Sequence, residues 1–222
     1  MELLADNLWL LRFPLRLLGL QIGRNVVVIR LASGKLIIHS TAPFSPEAVA
    51  RIRAKGEPAW LLDATRFHDS CAAEGRAAFP EVTYLVPEPF PHRDHLRAVA
   101  MEKAPEEWAS EVELRRIDGM PGVQEHVLFH RPSRTLVVGD VLFNFPENAT
   151  WWTKLVARWV LRLDGLVGMS LVFRSMIRDK QAFHRSMDDI LAWDFDRVIV
   201  GHGSVVDAGG KELLRKVVAT VK

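Results

Sequence analysis

At 222 residues with 49% apolar side chains, the chain is long enough to bury one sizeable core, as a single domain or a domain with an insertion. Its 29 basic and 27 acidic residues leave a net charge of +2 and form no Lys/Arg cluster, so nucleic-acid binding finds no footing. One cysteine, Cys71, excludes an internal disulfide framework and CxxC zinc motifs, and no uncharged apolar run reaches the ~18 residues of a membrane span.

The first ten residues carry acids and lack a cleavable secretory pattern, so a cytoplasmic protein is expected. Asn7–Phe13, Asn25–Leu31 and Lys35–Ser40 are apolar, β-branched runs, and Ala32-Ser33-Gly34 joins the last two as a hairpin turn. Ser45 before Pro46 and Glu47 is an N-cap with proline at the first helical position, which predicts a helix to about Lys55, stopped by Gly56. Ala59–Ala64 reads as a short buried strand followed by a polar loop, Thr65–Ser70, and Val82–Val86 as another strand. Prolines 87, 89 and 91 make the next stretch irregular. Strands follow at Val112–Ile117, Gln124–His130 and Thr135–Val138. From Phe145 the spacing turns helical: Trp151, Trp152, Leu155, Val156, Trp159, Val160 and Leu163 recur at helical intervals, with Lys154, Arg158 and Arg162 four apart beside them. Helices near Ser170–Ile177 and Lys180–Ala192, a strand at Arg197–Val200 and a helix at Lys211–Val221 complete the chain. This order suits two packed sheets with outer helices.

Three groups stand just beyond buried strands: Thr65-Arg66-Phe67-His68-Asp69-Ser70-Cys71, Val138-Gly139-Asp140 and Val200-Gly201-His202-Gly203. Strand ends are rigid supports whose loops converge on a cleft, and imidazole with carboxylate suits a divalent transition metal. Each residue also has a plainer reading. His68 can serve as a hydrogen-bonding loop histidine, and Asp140 can cap a turn. Cys71 can be a small buried hydrophobe. For His202 the flanking glycines favour a cleft position, since they permit close backbone approach. His39, His92, His95, His130 and His184 read as structural or surface residues. No Gly-x-Ser-x-Gly elbow, P-loop or GxGxxG is present.

Taken with Leu36–Ser40 and Trp193–Gly203, these segments make nearly the whole chain resemble the metallo-β-lactamase superfamily. The resemblance implies an α+β fold, a four-layer αββα sandwich, as a single domain over residues 1–222 with a helical insertion at about 145–180. It also implies a metal site. The family motif Thr-His-x-His-x-Asp-His is matched only in part, because Arg66, Ser70 and Cys71 replace a histidine, an aspartate and a histidine. Pro121-Gly122-Val123 puts an apolar residue where the family has its next histidine, and His126 lies near enough to stand in for it. His68, Asp140 and His202 remain as the implied ligands, with Cys71 as an extra candidate. That set suits at most one divalent metal, zinc first and iron or manganese next, or none. The family's water-orienting aspartate is replaced by Ser70, and Asp69 on an extended backbone would point the other way.

Two readings of function follow. One is a hydrolase-like protein acting on an ester, thioester or lactone through one metal. The other is a non-catalytic relative that binds a small ligand or protein partner in the former cleft. Arg66 either pairs with Asp69 or Asp140 or contacts an anionic ligand. The tryptophan-rich helix is expected to pack on the domain or on a second copy in a homodimer, to cover the cleft, or to rest on a membrane surface through residues 151–163.

Overall fold

The computed structural model describes residues 1–17 and 19–221. The N-terminal half forms β1 (Glu2–Ala5), β2 (Leu8–Phe13), β3 (Arg24–Arg30), β4 (Lys35–His39), β5 (Glu57–Leu62), β6 (Thr83–Val86) and β7 (Val99–Ala100). They lie in that order in one sheet, antiparallel through β4 and parallel from β4 onward. Helix α1 (Pro46–Arg53) makes the β4–β5 crossover, with the Ser45 hydroxyl accepting from the Ala48 amide as its cap. A short 3₁₀ turn, Arg66–Cys71, runs into α2 (Ala72–Ala78), where the sequence pattern predicts no helix. The run is too short and alanine-rich to show an amphipathic period.

The second sheet holds β8 (Val112–Arg116), β9 (His126–His130), β10 (Thr135–Val137) and β11 (Arg197–Ile199), the last pair parallel. Between β10 and β11 come α3 (Trp151–Trp159), α4 (Leu171–Ser175) and α5 (Lys180–Ala192), and α6 (Gly210–Val218) closes the chain. Central strands dictate the layering. In β3, Val27 and Ile29 face the second sheet, where they meet Leu128, Val137 and Ile199. Val26 and Val28 face the other way, toward Ile52 of α1 and Ala72 of α2. On the far side, Phe183, Met187 and Ile190 of α5 and Leu214 and Val217 of α6 cover Phe129, Leu136 and Val198. Helix, sheet, sheet and helix are thus stacked as the sandwich predicted from the sequence.

Helix α3 departs from the expectation that its tryptophans pack on the domain. Its buried face is Thr153, Val156 and Ala157, while Trp151, Leu155 and Trp159 form the opposite stripe and stand in solvent. Small side chains let the helix approach Leu20, Ile22, Phe143 and Phe145 closely, and those four fill the site under it.

Three strand histidines are buried: His39, His126 and His130. Burial lowers the pKa of His39 to about 3, aided by the nearby His68 ring and Arg24, and lowers those of His126 and His130 to about 4. In the unfolded chain each titrates near 6.5, so the unfolded state binds more protons between these limits. Stability is therefore fully present above pH 6.5 and declines as the pH falls toward 4, by about 1 kcal/mol per pH unit for each histidine. Urea midpoints of the metal-free protein should drop steadily between about pH 7 and 5, on this linkage. A flat or rising profile would contradict the buried neutral state of these rings.

Candidate metal centre

His68, Asp140 and His202 reach one point from three separate strand ends. Thr65 opens the turn after β5, and the His68 amide donates to its carbonyl at 3.1 Å. Asp140 follows β10 through Val138 and Gly139. The parallel pairing of β10 with β11 brings Gly201 alongside, where its amide donates to the Gly139 carbonyl at 3.1 Å. A side chain at Gly201 would put its first carbon 2.9 Å from that carbonyl oxygen and 3.0 Å from the His68 ring, so only glycine lets the two turns close. Asn25 of β3 ties the last loop down by donating to the carbonyls of Val200 and Gly203 at 2.8 and 2.9 Å.

One Asp140 oxygen, Oδ1, lies 3.5 Å from Nε2 of His68 and 3.5 Å from Nε2 of His202. The three ligand-type atoms fall within 4.8 Å of one another, and all three residues are buried. A tetrahedral ion with bonds of about 2.0–2.1 Å separates its ligand atoms by roughly 3.3 Å, close to the 3.5 Å from Asp140 Oδ1 to each histidine. The hydrogen bonding also fits an ion. His202 Nδ1 lies 2.6 Å from the Gly23 carbonyl, so it carries the proton and leaves Nε2 as a lone-pair donor. Both His68 ring nitrogens and Asp140 Oδ2 are buried without a hydrogen-bond partner among the described residues. Orphaned polar atoms of this kind are costly unless something satisfies them.

The charge states suit a cation. Burial lowers the His202 pKa to about 4, with the His68 ring adding to the shift, so the ring is neutral at pH 7. Burial alone would raise the Asp140 carboxyl, but the His68 and His202 rings and Arg24 outweigh it and hold the group below the usual range. Asp140 is therefore an anion beside a neutral His202. Glu125, fully buried behind it, accepts from the amides of Gly139 at 2.8 Å and Asp140 at 3.0 Å. Burial and then the nearby Asp140 charge push the Glu125 carboxyl upward. Glu125 thus clamps the turn that aims Asp140. It carries no family-like spacing in the sequence, and its only local signal is a carboxylate at the start of an otherwise apolar strand.

The other candidates fall elsewhere. Arg66 donates toward the Gly122 carbonyl at 3.4 Å, is not among the residues that line the cleft, and among the described residues pairs with neither Asp69 nor Asp140. Cys71 is half-buried, near the Ser70 hydroxyl, and outside the His68, Asp140 and His202 group. His126 bonds to the Gln124 carbonyl and faces Glu88 and Arg116 instead of the centre. Val123 is wholly buried in the core of the second sheet. Asp69 reverses its expectation. Because residues 66–71 form a 3₁₀ turn and not an extended strand, Asp69 and Ser70 both line the cleft with the three candidate ligands.

Arg24 is the second residue that the sequence conceals. It is 2% exposed, and its guanidinium donates to the Ser40 and Ser70 hydroxyls and the His68 carbonyl, each at 2.9 Å, with Asp63 at 3.7 Å. It also lines the cleft, a cavity of about 430 Å³. Apart from a second arginine, Arg16, the remaining walls are apolar and include Leu15, Leu17, Ile22, Phe143, Val172 and Phe173. Phe143 stacks on the His202 ring at 5.9 Å, and Phe173 links it to Phe67 at the rim.

No family profile and no curated protein sequence matches the chain. Solved structures do. The DIM-1 metallo-β-lactamase superposes with a TM-score of 0.66 at 16% identity, covering 100% of this chain and 97% of that one. The FIM-1 metallo-β-lactamase from Pseudomonas aeruginosa, in its mono-zinc form, gives 0.61 at 12% identity over 99% and 92%. A metallo-β-lactamase family protein from Thermus thermophilus gives 0.60 at 14% over 98% and 80%. At these identities the likeness establishes the fold.

Proposed function

From this metallo-β-lactamase fold, we propose a hydrolase-like protein that holds at most one divalent cation on His68, Asp140 and His202. Zinc suits the two imidazoles and one carboxylate best, and iron or manganese are the next candidates. The observation that carries the reading is the convergence of three buried ligand-type atoms within 4.8 Å, with both His68 nitrogens and one Asp140 oxygen otherwise unpartnered among the described residues. A cation bound there would polarise a carbonyl oxygen and acidify water. The protein's own groups supply the rest. The Gly23 carbonyl orients His202, and Glu125 orients the Asp140 turn. Asp69, a carboxylate that lines the same cleft outside the ligand set, would be the residue available to take a proton from water there. The aromatic and aliphatic walls would exclude bulk water and receive the apolar part of an ester, thioester or lactone. Arg24, a fixed cation on the same cleft, weighs against a second metal ion.

One observation favours a second reading. The Ser70 hydroxyl is engaged by Arg24, so no carboxylate stands at that position, and a non-catalytic relative could hold an anionic small ligand there. Protein purified without chelator should contain one equivalent of metal and hydrolyse members of an ester, thioester and lactone panel, with activity lost to chelation and restored by zinc. Stoichiometric metal without turnover supports the ligand-binding reading. No metal, even after soaking, defeats the metal centre and with it the hydrolytic reading.

A further inference from the structure

Helix α3 presents a surface that the cleft chemistry leaves unexplained. Trp151 and Trp159 are 74% and 72% exposed, and Leu155 lies between them on the same stripe. Val160 and Leu171 are exposed as well, and so are Leu17 and Val172, which line the cleft. Exposed apolar groups scattered singly are ordinary, but tryptophans gathered on one helix face mark an interaction site. The patch is joined to the cleft. The buried face of α3 packs on Leu20, Ile22, Phe143 and Phe145, and Ile22 and Phe143 themselves line the cavity.

Charge identifies the partner. Over residues 145–180 six cations face three acids, Glu147, Asp164 and Asp179, so this segment carries +3 where the whole chain carries +2, and none of the three acids lies on α3. Lys154 and Arg158 flank the tryptophan stripe, and Arg162 follows the helix. All three are solvent-accessible, and among the described residues none pairs with a carboxylate. A second copy seated on this face by a two-fold axis would oppose these cations to their own copies, and α3 offers no acid to answer them. An anionic lipid surface answers both features, accepting indoles at the headgroup boundary and Lys/Arg at the phosphates.

We propose that α3 lies in the plane of an anionic bilayer, with Trp151, Leu155 and Trp159 in the interface and Lys154, Arg158 and Arg162 against lipid phosphates. Leu17 and Val172 are both exposed and also line the cleft, so a membrane contact made here would bring lipid close to the cavity walls. The docking face depends on no metal and stands apart from the hydrolytic reading.

The test is co-sedimentation with vesicles of phosphatidylcholine alone and with phosphatidylglycerol added. The full chain should pellet with the anionic vesicles and shift its tryptophan emission to the blue, and binding should weaken with salt. The double variant Lys154→Gln/Arg158→Gln should bind at least about tenfold more weakly. Trp151→Ala/Trp159→Ala should lose both binding and the emission shift. Circular dichroism controls for folding, and all four positions are exposed. Chelated protein should bind as well as untreated protein, so a failed metal reading leaves this result in place. No pelleting with anionic vesicles overturns the proposal, as does equal pelleting of the charge variant. A dimer in sedimentation equilibrium that Trp159→Ala dissociates, without vesicle binding, assigns the face to a second copy and overturns it too.

Discussion

Asp140→Asn should strip the protein of its metal while leaving the fold standing. Asp140 is the hub of the centre, since one of its oxygens lies 3.5 Å from each histidine Nε2. Removing an outer partner of a metal ligand lowers affinity by about 10–100-fold, so losing the shared carboxylate itself should exceed a hundredfold. The Glu125→Gln variant, which changes the clamp and not a ligand, should fall in the lower part of that outer-partner range, about tenfold. The fold should survive Asp140→Asn because asparagine keeps the shape of the side chain, Oδ2 is without a hydrogen-bond partner among the described residues, and losing the charge relieves the push on the Glu125 carboxyl. Elemental analysis and calorimetric zinc titration would measure the effect, with thermal unfolding of the metal-free protein as the control. Unchanged metal stoichiometry in Asp140→Asn would remove His68, Asp140 and His202 as the centre.

Arg24→Met should destabilise the protein by about 3–5 kcal/mol, the usual cost of breaking a buried ion pair by removing one partner. The change would leave Asp63, which is wholly buried, as a carboxylate without its cation. Thr41 and Tyr84 would still donate to it, at 2.6 to 2.9 Å, but neither carries charge. For a chain of this size the loss corresponds to a fall in Tm of roughly 10 °C. The double variant Arg24→Met/Asp63→Asn should recover part of that loss, because the buried charge disappears with its partner. Metal affinity should fall in both variants, since the guanidinium also anchors the His68 carbonyl at 2.9 Å. Urea unfolding and zinc titration separate the two effects. A Tm shift under about 2 °C in Arg24→Met would show that Arg24 is not a structural cation.

Much of the architecture was legible because it rests on local patterning. The β-branched runs around Val26–Ile29 and Leu36–Ile38 form strands, the Ser45-Pro46 start makes a capped helix, and the Lys180–Ala192 period is a helix with the bounds expected. His68, Asp140 and His202 were readable for the same reason, since each follows a recognisable buried strand and strand ends deliver side chains to one edge of a sheet. Burial and direction were not readable in this way. Arg24 looks like an ordinary strand-end arginine until three distant groups, Ser40, His68 and Ser70, close around it. Asp69 turned into the cleft because residues 66–71 coil as a 3₁₀ turn, a choice made by the Thr65 cap and the packing of α2. Glu125 became a clamp only when β9 and β10 set its oxygens against the Gly139 and Asp140 amides. The tryptophans of α3 followed a helical period that fits a packed face equally well. Which of its two apolar faces is buried depends on the small residues Thr153 and Ala157 meeting the Leu20 and Phe143 surface. Sequence thus determined most of the elements and the strand-end placement of His68, Asp140 and His202, because propensity and periodicity act over a few residues. Only the tertiary structure decided which charges are buried, which carboxylates face the cleft and which tryptophans stay outside, because those depend on contacts between segments far apart in the chain.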